Sequence, residues 1–86
     1  MDQNPATELE AAWSELHDAM PSGWYVGRPN FRHDLDAWEQ YAFDPSERPS
    51  VGTRSREWTA VGPTEVACVR EMARCLRELR EGRWPR

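Results

Sequence analysis

Apolar residues recur at helical spacing near the start of the chain: Leu9, Ala12, Trp13, Leu16 and Met20 fall at i, i+3, i+4, i+7 and i+11. That stripe predicts an amphipathic helix over residues 4–20. Thr7-Glu8-Leu9-Glu10 has the form of a capping box, and Asn4-Pro5 offers a start one turn earlier. Pro21-Ser22-Gly23 stops the helix. The period then changes. Gly23-Trp24-Tyr25-Val26-Gly27 is short, aromatic and β-branched, and predicts a strand. His33-Asp34-Leu35-Asp36 reads as a hairpin connection, with Ala37–Asp44 as the returning strand. Leu35, Trp38 and Tyr41 would also fit a helix, but the alternation of Tyr41 with Phe43 and the stop at Asp44-Pro45 favour a strand.

Residues 45–55 have loop composition, and Arg56–Val61 predicts a third strand broken by Gly62-Pro63. A second helix follows over 64–81, with Thr64 as its cap. Val66, Val69, Met72, Ala73, Leu76, Leu79 and both cysteines take one half of that helix; arginines and glutamates take the other. Arg74–Glu78 and Arg77–Glu81 are candidate i,i+4 pairs. Gly82 closes the helix and residues 82–86 form a tail. The expected fold is one α+β domain of α-β-β-β-α order: a three-stranded antiparallel sheet over residues 23–61, packed with two main helices.

With 86 residues the core must be small. No segment approaches the ~20 apolar residues of a membrane span, and the acidic, polar N-terminus lacks the pattern of a secretory signal. A cytoplasmic protein is expected. All eleven basic residues are arginine, as a GC-rich bacterial genome would produce. The formal charge of −4 is uneven. Residues 1–47 hold ten acidic groups against Arg28 and Arg32, a net of −8, while residues 48–86 hold nine arginines against five glutamates, a net of +4. Such asymmetry marks either an interaction surface or two halves that interleave and cancel.

Cys68 and Cys75 lie seven residues apart on one helix, about 10.5 Å along its axis. They are too far apart for a mutual disulfide and are expected as buried reduced thiols. No C-x-x-C or H-x-x-x-H spacing exists, so neither a metal nor a cofactor is expected. His33 beside Asp34 could do acid–base work, yet reads first as a hydrophilic turn. Without a nucleophile elbow or a phosphate-cradling loop, an enzyme is not expected.

Two sets of side chains are candidates for binding. Trp24, Trp38 and Trp58 fall on the three predicted strands, one each, and Tyr25 alternates with Trp24. Alternation puts aromatic groups on both faces of the sheet. If both helices cover one face, the other exposes aromatics, and Trp24, Tyr25, Trp38 and Trp58 would meet a protein partner or a second copy. The other set is Arg48, Arg54 and Arg56 on the loop with Arg70, Arg74 and Arg77 on the last helix. These would serve a nucleic-acid-binding accessory domain, the alternative reading, which the acidic first half opposes.

The predicted element order is similar to that of double-stranded-RNA-binding domains. That family carries a lysine-rich cluster at the start of its last helix; the matching stretch here, Pro63-Thr64-Glu65-Val66-Ala67, is acidic and lysine-free. RNA binding is therefore not carried over. The segment Glu57–Leu76, a strand, Gly-x-Thr and a helix, looks like the end of antitoxins in HicA–HicB-type pairs. That resemblance implies a small acidic protein that masks a basic partner. An inhibitor- or regulator-like interaction module is the expected role.

Overall fold

The computed structural model describes residues 5–44 and 58–82. The predicted loop 45–55, with Arg48, Arg54 and Arg56, lies outside the described residues, as do residues 83–86. Helix α1 runs Pro5–Ala19. Thr7 lies inside this helix rather than at its cap, and proline is tolerated in the first turn, where its missing N–H is no loss. A turn follows in which Trp24 N donates to Pro21 O at 3.1 Å and Gly23 takes φ 84°. A turn of this kind needs glycine at its third position.

Four strands follow: β1 Tyr25–Val26, β2 Asn30–Arg32, β3 Ala37–Phe43 and β4 Thr59–Gly62. All pair antiparallel with β3. β1 and β2 share one edge of β3, and β4 takes the other. The expected single first strand is thus two short pieces, and the sheet has four strands where three were expected. The register explains the break. Val26 pairs with Ala42 and Asn30 with Glu39, so four steps along the edge cover three along β3. The extra residue is a bulge at Gly27-Arg28-Pro29, where proline has no N–H to give to the ladder. Gly27 N still donates to Tyr41 O at 2.9 Å. The buried Gln40 side chain completes the repair, its Nε2 donating to Gly27 O at 2.8 Å.

The four residues 33–36 connect β2 to β3, as expected, with Asp36 at φ 50°. Helix α2 runs Glu65–Arg80. Thr64 caps it, its Oγ1 accepting from Ala67 N at 3.0 Å.

Both helices lie on one side of the sheet. α2 packs on β4 and β3, and α1 packs on α2. One core joins Ala12, Leu16 and Ala19 of α1, Val69, Met72, Ala73 and Leu76 of α2, and Ala42, Trp58 and Ala60 from the sheet side. Small residues let the layers approach closely: a Cβ on Gly62 would stand 2.5 Å from Cys68 N. Cys68 and Cys75 are both free and buried.

Candidate functional site

Alternation along the strands sorts the sheet into two faces. On β3, Trp38, Gln40 and Ala42 point to the helices; their cross-strand partners Gly62, Ala60 and Val26 share that side. Glu39, Tyr41 and Phe43 point the other way, opposite Val61, Thr59 and Tyr25. Among the described residues no helix covers this second face. Tyr25 is 60% exposed, Val61 43% and Phe43 39%. The Tyr25 and Phe43 rings are stacked, 4.9 Å between centroids and 19° from parallel. Stacking across strands stiffens the pair, so an apolar platform stands ready in solvent.

The tryptophans are placed differently from the expectation. Trp24 and Trp58 do not lie within strands; each immediately precedes one, β1 and β4 respectively. Trp58, 9% exposed, belongs to the core, and Trp24 packs edge-on against it at 4.9 Å. Trp58 shares one core cluster with the small residues Ala19, Ala42 and Ala60, and Trp24 packs against that cluster. Trp38 also faces the helix side, but near the end of the sheet, where it is half-buried and meets Phe31 at 5.8 Å. Of the four expected anchors only Tyr25 lies on the open face. Phe43, Tyr41 and Val61, which were not singled out, join it there. Their signal was present: Tyr41 and Phe43 alternate, so the parity of β3 places both on one face.

At the other end of this face lies a charged group. Arg32 reaches two carboxylates: Nε and Nη2 donate to Asp34 at 2.8 and 2.6 Å, and Nη1 donates to Glu39 Oε1 at 2.7 Å. Tyr41 Oη donates to the same Glu39 oxygen at 2.6 Å. The hydrogen bonds from Arg32 hold the Asp34 carboxyl below its usual range. Asp34 is therefore engaged by Arg32, and the His33 ring lies edge-on to Phe31 at 4.9 Å instead.

The helix arginines form no continuous cationic surface. Arg74 is gripped by Glu71, 2.8 Å from its Nε, and by Glu78, 2.7 Å from its Nη1. Arg70 stands 3.9 Å from Glu15 of α1. Arg77 makes no ion pair among the described residues, so the expected Arg77–Glu81 pair is absent. A shallow groove between the helices carries both signs of charge: Glu8, Glu15 and Glu71 line it with Arg70, Arg74 and Arg77. Both thiols are pushed up to about 11, chiefly by burial. Nearby glutamates add to this, Glu39 and Glu65 for Cys68 and Glu71 for Cys75. Neither is an activated nucleophile. Among the described residues no group of three or more His, Cys, Asp or Glu side chains could hold a metal ion, and no helix is long and apolar enough to cross a membrane.

Compared with known proteins, the chain matches no family model, no curated protein and no solved structure.

Proposed function

We propose that this chain is a non-enzymatic interaction module of the bacterial cytoplasm, a regulator or inhibitor that docks on another protein through the open face of its sheet. The observation that carries the reading is the exposed Tyr25–Phe43 stack with Val61 beside β3, on the side both helices leave bare. Exposed aromatic and aliphatic side chains on one uncovered sheet face mark a contact site. The partner is a protein of opposite charge. The chain's formal charge is −4, so a basic partner is steered in while a second copy is repelled. The engagement of Arg70 and Arg74 by carboxylates supports this reading over nucleic-acid binding, which depends on arginines able to neutralise phosphates.

The test places a photo-cross-linking benzoylphenylalanine at Phe43, or at the exposed Glu10 of α1 as a control, in the cells that make the protein. Position 43 should give a discrete protein adduct that position 10 does not, and Tyr25→Ser should abolish it while circular dichroism stays unchanged. Equal adducts from both positions, or none from 43, refute the reading. So does tight, steeply salt-sensitive binding to labelled duplex RNA or DNA that persists in Tyr25→Ser.

A further inference from the structure

Glu39 is an anomaly on the open face. It sits in register between Asn30 and Val61, yet only 9% of its surface is exposed. A carboxylate so far withdrawn from water needs its charge met. The compensation is incomplete. Among the described residues Arg32 is the one guanidinium in contact, and it is divided between Glu39 and Asp34, so two negative charges share one positive. Both hydrogen bonds to Glu39 go to Oε1. Among the described residues Oε2 accepts none, and the enclosed polar atom without a partner is Gln40 Oε1 rather than any atom of Glu39. Oε2 therefore keeps access to solvent. Arg32 and Tyr41 fix the carboxylate from the Oε1 side and leave the second oxygen without a hydrogen bond among the described residues.

We propose that Glu39 Oε2 is the charge-recognition point of the open face and accepts the guanidinium or ammonium of an arginine or lysine from the partner. The proposal rests on the docking face described above and adds the chemistry of its occupant. The surplus negative charge supplies the complementarity. Val61, across the strand pair from Glu39, and Tyr41, two residues along β3, would cover the alkyl stem of such a side chain, which gains by lying on apolar surface while its head finds a charge. Spacing narrows the partner further. Four residue steps along β3 take Glu39 to Phe43, about 13 Å. The fitting partner segment carries a cation and a large apolar side chain that far apart, as residues i and i+4 of an extended strand do.

The probes are two pentapeptides, acetyl-Leu-Ala-Ala-Ala-Arg-amide and the same peptide with neutral citrulline for arginine. Each is titrated into the full-length ¹⁵N-labelled chain and followed by amide shifts. The arginine peptide should saturate shifts at Glu39, Tyr41, Val61 and Phe43. The citrulline peptide should bind about fivefold more weakly, the effect of one ion pair near a surface. Glu39→Gln should bring the arginine peptide down to the citrulline level. Equal binding of both peptides to the wild-type chain, with shifts at Tyr25 and Phe43, overturns the charge point and leaves the docking face standing. Shifts from neither peptide overturn both. The wild-type comparison decides the matter even if Glu39→Gln does not fold.

Discussion

Gly62→Ala is the substitution whose effect is best fixed by geometry. Gly62 ends β4 on the side turned to α2. A Cβ there would lie 2.5 Å from Cys68 N, 2.7 Å from the Ala67 carbonyl carbon and 2.8 Å from Cys68 Cα. These are backbone atoms of the first helical turn, so no side chain can swing away to make room. Ordinary contact begins near 3.4 Å, which requires α2 to retreat from β4 by about 0.9 Å. A gap of that size forfeits a quarter to a half of the dispersion contact across it. Cys68, Val69, Met72 and Leu76 are all buried along this helix. Burying each such side chain is worth ~1.5–3 kcal/mol, and a quarter of that over four residues is ~2 kcal/mol. Gly62→Ala should therefore destabilise the fold by ~2–3 kcal/mol, within the usual range for overpacking. A chain of 86 residues holds only ~4–13 kcal/mol in total. Urea unfolding followed by tryptophan fluorescence measures the loss, since Trp24 and Trp58 report on the core. Gly27→Ala is the control: among the described residues its Cβ would meet only Phe43 Cε2, at 3.8 Å, and a change within ~0.5 kcal/mol is expected. A loss below ~0.5 kcal/mol for Gly62→Ala, or equal losses at both sites, would refute the reasoning.

Two further outcomes are expected. Thr64→Ala removes the acceptor for Ala67 N and should cost ~1 kcal/mol in the same urea assay, with Thr64→Ser recovering most of it. Both thiols have folded values near 11 against an ordinary 9.0. The folded state thus holds these protons more tightly than the unfolded one, and the stability this contributes is complete below pH 9 and lost as pH rises toward 11. Urea midpoints should fall across that window, and the fall should shrink in a Cys68→Ala, Cys75→Ala double variant; equal falls in both proteins would contradict the assignment. At pH 8 the thiolate fraction in the folded chain is ~100-fold below that of a free thiol, so labelling by a disulfide reagent should wait on unfolding.

The helices and the β2–β3 turn are legible in the sequence because each rests on local physics. α2 carries a cap, an apolar stripe and opposed charges over sixteen residues, and every level of the pattern agrees. β3 is legible from the parity of Tyr41 and Phe43 once Asp44-Pro45 marks its end. The edge strand is harder. Gly23–Gly27 looks like a complete strand, yet a connection at 33–36 implies that the partner of β3 ends at Arg32. Reading back from that turn yields Asn30-Phe31-Arg32, and the segment between the two pieces contains Pro29, which marks the bulge. What the local pattern lacks is the knowledge that one residue is extra, because a bulge is defined only by counting against the opposite strand.

The site was less legible for a related reason. Aromatic count identifies side chains that need burial or a partner, and only the third dimension divides them. Trp24 and Trp58 stand just outside their strands, so strand parity does not govern them, and both turn into the core, where small alanines leave room for indoles. Glu39 is hidden more completely. In sequence it is one carboxylate among fifteen acidic residues, flanked by Trp38 and Gln40, which both face the helices. Its place on the open face follows from parity. Its shortage of positive charge follows from a tertiary fact: the arginine that reaches it across seven residues is also clamped to Asp34. A buried charge that shares its one arginine with Asp34 is not needed for folding, since a leucine at that position would pack against Val61 without requiring Arg32. Its presence there is explained if the missing half arrives with the partner.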